Sequence, residues 1–170
     1  MKNLSKKGMG RENIVNMLQE SIIAEQTAGD FYRYIAKKIK NSKISNRFIK
    51  FGNEEAEKHK KLLNDRFKLI TGQYYSPDLD KLDTNIKVSS FSLIGALNIA
   101  KESERKAMEF YRQASRRDTK HKEMYDEIIV EERKHWAAIN KEKHFQQDKE
   151  ELYSDSNGIR LLSLLMQFYR

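Results

Sequence analysis

A chain of 170 residues with seven glycines, one proline and 34% charged residues favours one domain of long, polar-faced helices over a sheet protein. It contains no cysteine, which excludes disulfides, thiolate metal sites and iron–sulfur centres and agrees with a reducing, cytoplasmic setting. The net charge of +8 invites a nucleic-acid reading, but the lysines are scattered and no finger, RRM-type aromatic motif or helix-turn-helix accompanies them, so solvated helix faces account for the charge.

Residues 11–40 carry apolar positions at Ile14, Leu18, Ile22, Ala28, Phe31, Ile35 and Ile39, the three-to-four spacing of an amphipathic helix. Asn41-Ser42-Lys43 breaks it, and Ser45 or Asn46 is expected to open a second helix. That helix runs to about Ile70 with Phe48, Phe51, Leu62, Leu63 and Phe67 inward, and Thr71-Gly72 closes it. Residues 73–90 hold the only proline, Pro77, and little helical pattern. Extended, they reach up to roughly 60 Å, against a helix of about 40 Å, so they can return along the whole bundle. A third helix is expected from Phe91 to Arg117, and a fourth from Asp118-Thr119, with Asp118 as N-cap, to about Lys149. The expected architecture is all-α, a four-helix bundle over residues 1–152 with a long crossover between helices two and three. Residues 153–170 would form a hinge and a short apolar C-terminal helix. That tail (Ile159, Leu161, Leu162, Leu164, Leu165, Met166, Phe168, Tyr169) packs on the bundle or a second copy, or else docks on a membrane surface or another protein. It is too short to span a bilayer. The basic first residues lack an apolar run, so no secretory signal is expected.

The two halves resemble each other. Helix one contains Glu25-x-x-Ala28-x-x-Phe31-Tyr32 and helix three Glu104-x-x-Ala107-x-x-Phe110-Tyr111. Each is followed by a helix with a Glu/His cluster: Glu54-Glu55-Ala56-Glu57-Lys58-His59 and Glu131-Glu132-Arg133-Lys134-His135. Glu132 and His135, three residues apart, leave one helix face together. Two hairpins related by a pseudo-two-fold axis would bring Glu25, Glu55, His59, Glu104, Glu132 and His135 to the centre. Four carboxylates balance the four positive charges of two divalent ions in a low-dielectric interior. Imidazole nitrogens favour iron or manganese over calcium or magnesium. In this reading Glu25 and Glu104 bridge or cap, and His59 and His135 are terminal on opposite metals.

The first half departs from the second, because Ala56 stands three residues before His59 and Glu55 stands four before it. An ordinary helix leaves Glu55 about 40° from His59. The core spacing sharpens the point: Ile128 precedes its histidine by seven residues and Phe51 precedes His59 by eight. A π-bulge would absorb the extra residue and carry Glu55 into the ligand position; otherwise the site lacks a carboxylate. Glu54 replaces Glu55 if the bulge falls elsewhere. Tyr32 and Tyr111 read as core aromatics, or as hydrogen-bond partners of ligand carboxylates. Trp136 is expected outside the site and His121 and His144 at the surface. Glu20, Glu54, Glu57, Glu102 and Glu131 read as solvated charges.

The Glu-x-x-Ala-x-x-Phe-Tyr segments, Glu132-x-x-His135 and His59-Lys60-Lys61-Leu62-Leu63 resemble the rubrerythrin-like branch of the ferritin-like superfamily over roughly residues 11–150. The resemblance implies a ferritin-like bundle with a di-iron centre, manganese being the alternative, that reacts with hydrogen peroxide or dioxygen. Glu25, Glu104, Glu132, His135, His59 and Glu55 would be the ligands, with no catalytic residue beyond them. Some rubrerythrins have a further glutamate where this chain has Ala107, so the metal shift tied to that residue is not expected. The rubredoxin domain of many relatives needs four cysteines, so an external electron donor is implied. A homodimer is expected, and neither nucleic acid nor membrane is an expected partner. The contrasting reading is a non-catalytic ferritin-like module, holding metal for storage or delivery, or lacking it because of Ala56.

Overall fold

The computed structural model describes residues 10–77 and 92–154, with the backbone alone for 150–154. Four rods make up the described fold. Helix α1 is Arg11–Lys38. Helix α2 covers residues 42–71 as one rod in three pieces, an α-helical Ser42–Asn53, a π-helical Glu54–His59 and an α-helical Lys60–Thr71. Helix α3 is Leu93–Arg117. After a single 3-10 turn, Thr119–His121, helix α4 is Lys122–Ser154, ending past the expected Lys149.

The ends follow local chemistry. The Asn41 side chain accepts the Ile44 N–H at 3.1 Å, so α2 opens at Ser42 and not at Ser45 or Asn46. Ser92 does the same for α3, accepting from the Gly95 N–H at 3.1 Å. Gly72 closes α2 with φ at 89° and its N–H on the Lys68 carbonyl at 2.8 Å, a left-handed turn that glycine makes without a Cβ clash. Asp118 does not cap α4 with its side chain. Its carboxylate receives both arms of the Arg66 guanidinium, at 2.9 and 3.1 Å, and the Tyr125 hydroxyl at 3.2 Å. A buried acid with a bidentate cation beside it satisfies that partner before a distant N–H.

The interior has two apolar layers. One gathers Leu18 and Ile22 of α1, Leu63 and Phe67 of α2, Met108 and Tyr111 of α3, and Tyr125 and Ile128 of α4. The other gathers Tyr32 and Ile35 of α1, Phe48 and Phe51 of α2, Ala96 and Leu97 of α3, and Ile139 of α4. Each wholly buried Leu or Ile contributes about 1.5–3 kcal/mol, so these layers hold the bundle together at its two ends. Their membership also fixes direction: α2 and α3 both run from the second layer toward the first. Two parallel neighbours in sequence can be joined only from one end of the bundle to the other, which is the crossover expected from the length of the link. Most of that link, residues 78–91, and the apolar tail lie outside the described residues. No described helix is long and apolar enough to cross a membrane.

Where α1 crosses α2 the backbones touch. A Cβ on Gly29 would meet the Gly52 carbonyl oxygen at 2.7 Å and the Ala56 Cβ at 2.8 Å, and one on Gly52 would meet the Gly29 carbonyl oxygen at 2.7 Å. The crossing therefore sits beside the π-helical turn and sets the depth at which that turn enters the bundle.

Candidate metal centre

Between the two apolar layers lies a layer of acids and imidazoles. Glu25 of α1, Glu55 and His59 of α2, Glu104 of α3, and Glu132 and His135 of α4 are all buried, each at most 4% exposed. Their donor atoms form two groups, Glu25–Glu55–His59–Glu132 and Glu55–Glu104–Glu132–His135, with the atoms of each group within 4.8 Å of one another. Glu55 and Glu132 belong to both groups. Each hairpin thus supplies one outer acid, one histidine and one shared acid.

The π-helical turn is the local cause of this symmetry. One extra residue between Phe51 and His59 is absorbed in Glu54–His59, and Glu55 turns inward with 1% exposure. His59 donates from Nδ1 to Glu55 Oε2 at 2.9 Å, and His135 Nδ1 lies 2.7 Å from Glu55 Oε1. Ala56, also buried, packs on the α1–α2 crossing. Both histidines turn Nδ1 to the centre and Nε2 outward.

The outer nitrogens reveal what the sequence reading missed. His59 Nε2 donates to Glu131 Oε2 at 2.8 Å, and His135 Nε2 donates to Glu54 Oε2 at 3.0 Å. Each acid precedes a shared carboxylate by one residue and holds the histidine of the opposite hairpin. Glu54 and Glu131 are therefore not simply solvated charges. The signal was present as a Glu-Glu doublet at equivalent places in both halves. Lys58 secures Glu131 at 2.5 Å and Glu127 at 2.9 Å, whereas Glu54 has the exposed Lys50 at 3.4 Å.

The two tyrosines differ. The Tyr111 hydroxyl donates to Glu25 Oε1. The equivalent pair by the repeat is Tyr32 with Glu104, yet the Tyr32 hydroxyl and Glu104 Oε2 are both buried without a hydrogen-bond partner. Tyr32 instead stacks its edge on Phe51, with ring centres 5.9 Å apart. Trp136 packs beside the first apolar layer, away from the cluster, with the Lys101 ammonium 5.0 Å from its ring centre. His144 is exposed. His121 is half-buried, 3.6 Å from Asp118.

Burial and the neighbouring Glu55 charge push Glu25 well above the usual carboxylate range, and burial with a hydrogen bond to Glu132 does the same to Glu104. Burial also opposes charge on Glu55, but the imidazoles of His135 and His59 close beside it outweigh burial and lower its pKa. Glu132 is likewise lowered, its neighbours Glu104, His135 and His59 together overcoming burial. Burial pulls both imidazoles down, and their carboxylate partners win: His59 is raised by Glu132, Glu25 and Glu55, and His135 is pushed up to about 10 by Glu132 and Glu55. Without metal, then, the surroundings favour protons on Glu25, Glu104 and both imidazoles and charge on Glu55 and Glu132.

Two divalent ions are an alternative balance for the same groups, and the donor set fits them. Glu55 Oε1, Glu104 Oε2 and His135 Nδ1 are buried without an aligned hydrogen bond, even though His135 Nδ1 and Glu55 Oε1 are only 2.7 Å apart. Polar atoms buried this close, yet not aimed at one another, are costly unless something else satisfies them. Carboxylates with imidazole suit iron or manganese, and acids behind the outer imidazole nitrogens orient such ligands.

The rubrerythrin family description matches residues 16–143. A dodecameric thioferritin, the bacterioferritin-related protein of Bacteroides fragilis, superposes with a TM-score of 0.70 at 18% identity, covering 85% of this chain and 92% of that one. A hypothetical protein from Pyrococcus furiosus superposes with a TM-score of 0.64 at 21% identity, covering 83% of this chain and 98% of that one. No curated protein matches. The structural neighbours establish a ferritin-like bundle, and the family match over most of the length establishes more: this chain belongs to the rubrerythrin family.

Proposed function

We propose that the chain is a non-haem di-metal oxidoreductase, with two iron ions (manganese as the alternative) that react with hydrogen peroxide or dioxygen and are re-reduced by an external electron donor. The observation that carries this reading is the buried layer of four glutamates and two histidines, whose donor atoms fall into two groups sharing Glu55 and Glu132. In it Glu25, His59, Glu104, His135, Glu55 and Glu132 would hold the two ions, the last two having donor atoms in both groups. A bound metal pair supplies Lewis acidity and two electrons. The chain's own residues do the rest. Four carboxylates would neutralise the ions, Tyr111 orients Glu25, Glu131 and Glu54 fix the imidazoles, and the two apolar layers close off the acid layer toward both ends of the bundle. In this reading Ala56 does not leave the first half-site a carboxylate short, because the π-helical turn lets the buried Glu55 serve there.

The setting we propose is the cytoplasm, and self-association is part of the proposal, a homodimer being the simplest form. The test is elemental analysis of protein purified without added metal, then loaded with ferrous ion in the absence of air. About two iron or manganese ions per chain and a peroxide-dependent absorbance change are expected. Protein that takes up no metal, or takes it up and does not respond to peroxide or dioxygen, is the non-catalytic module instead.

A further inference from the structure

A cavity of about 260 Å³ runs from the surface to the acid layer between α1 and α3. Its flanks are Ala24 and Ala28 of α1 and Ala107 and Phe110 of α3, and its inner end is the carboxyls of Glu25 and Glu104. Ala24 and Ala28 are one turn apart on one wall and Ala107 is on the other; Ala24 is exposed, whereas Ala28 and Ala107 are half-buried at the seam, where a bundle ordinarily places larger apolar side chains. The space exists because those side chains are single methyl groups. Phe110, 37% exposed, flanks it as an apolar surface that nothing described covers.

Size and charge limit what fits. A water molecule occupies about 30 Å³ of liquid, and a dry apolar cavity of about 150 Å³ holds benzene. Hydrogen peroxide would leave most of this volume empty, whereas a molecule of roughly ten non-hydrogen atoms would fill it. The inner end has no cationic side chain among its lining residues to hold an anion. At the rim Glu20 and Lys106 oppose each other in charge, so the entrance selects for neither sign. Glu104 Oε2, 3% exposed as a residue and without a hydrogen-bond partner, lies on the inner wall.

We infer that the cavity is a binding site for an uncharged organic hydroperoxide, its hydrocarbon body against Ala28, Ala107 and Phe110 and its oxygen end at Glu25 and Glu104. This rests on the proposed function and names its substrate class. Reduction of R–OOH breaks the O–O bond and consumes two electrons and two protons, giving R–OH and water. A ferrous pair held by the acid layer would supply the two electrons, with the external donor restoring them, and the protons would come from solvent.

The test uses cumyl alcohol, the unreactive product analogue of cumene hydroperoxide, titrated into the full chain by ligand-observed NMR after chelation and again after ferrous loading. Saturable binding is expected in the metal-free chain. It should weaken at least about tenfold in Ala107→Phe and in Ala28→Leu, each of which fills the cavity. Two variants on different helices separate occlusion from a local fold defect, and circular dichroism reports the latter. No saturable binding, or equal binding in both folded variants, overturns the inference. So does a change of self-association in the variants with no change in alcohol binding, because the flank is then an interface between copies. Iron counts on the same samples keep the two readings apart. Full loading without alcohol binding removes the substrate class and leaves the di-metal centre, whereas alcohol binding without loading leaves a binding cavity but overturns the di-metal centre and, with it, the reduction of a hydroperoxide.

Discussion

Glu131 and Glu132 are one step apart on α4, about 100° around the helix, and the step divides their work. Glu132 faces both histidines, while Glu131 reaches the outer nitrogen of His59 from the side. Glu55 and Glu54 repeat the division toward His135. An acid behind an imidazole fixes its ring and tautomer and raises its donor strength, and its loss typically costs about 10–100-fold in metal affinity. We therefore expect Glu131→Ala and Glu54→Ala each to weaken binding of one ion by about that factor while the six donors remain, as read by competition with a chelating dye. Unchanged affinity in both variants contradicts the orienting role. Glu104→Ala should do more. It removes one of the four carboxylates of the acid layer, and metal content should drop while the helical circular dichroism persists, because the apolar layers are separate from the acid layer. Full metal content in that variant removes Glu104 from the ligand set.

At the scale of the element, the π-helical turn and the glycine crossing act on the same stretch of α2. The turn adds one residue between Phe51 and His59 relative to the seven-residue spacing of Ile128 and His135. Deleting Glu57, exposed on that turn, should convert it to an ordinary helix in which Glu55 stands three residues before the histidine, as Glu132 does. We expect this deletion to preserve metal binding to within about tenfold, since the phase on both sides of the turn is kept. Loss of binding on dye competition shows that the wide turn has a role beyond register. The bulge was legible because two core spacings disagreed by one residue, a difference visible in the letters themselves. The glycine contact was not, since interhelical distance is a property of packing and no periodicity encodes it. Gly29→Ala puts a methyl group 2.7 Å from a carbonyl oxygen of the facing backbone. Neither side of the contact can yield, so a loss of about 1–3 kcal/mol is expected in denaturant unfolding. A variant as stable as the parent contradicts the rigid crossing.

Over the whole molecule, the direction of all four helices follows from which residues share an apolar layer, and that much was readable from helical periodicity and from the length of the link after Thr71. The convergence of Glu25, Glu55, His59, Glu104, Glu132 and His135 was readable from the repeat, because a duplicated hairpin has few ways to bury its acids. Glu54 and Glu131 escaped because acids abound in a chain with 34% charged residues, and only the third dimension distinguishes one that meets an imidazole from one that meets water. Asp118 escaped likewise, its partner Arg66 being remote in sequence. The acid layer also governs how stability varies with pH. Glu25, Glu104, His59 and His135 have pKa values raised in the folded chain. A raised group stabilises fully below its unfolded value, about 4.3 for Glu and about 6.5 for His, and loses that contribution as pH climbs through the folded value, about 10 for His135. Glu55 and Glu132 are lowered; their contribution is present above about pH 4.3 and disappears only in acid. In the chelated protein the melting temperature should therefore fall steadily from about pH 6.5 to about pH 10. Two divalent ions displace those protons, so the metal-loaded protein should show a much shallower fall over the same range. Differential scanning calorimetry across pH on both forms decides it. A chelated protein whose melting temperature is flat or rises across that window shows that the acid layer does not hold its charge balance by protons.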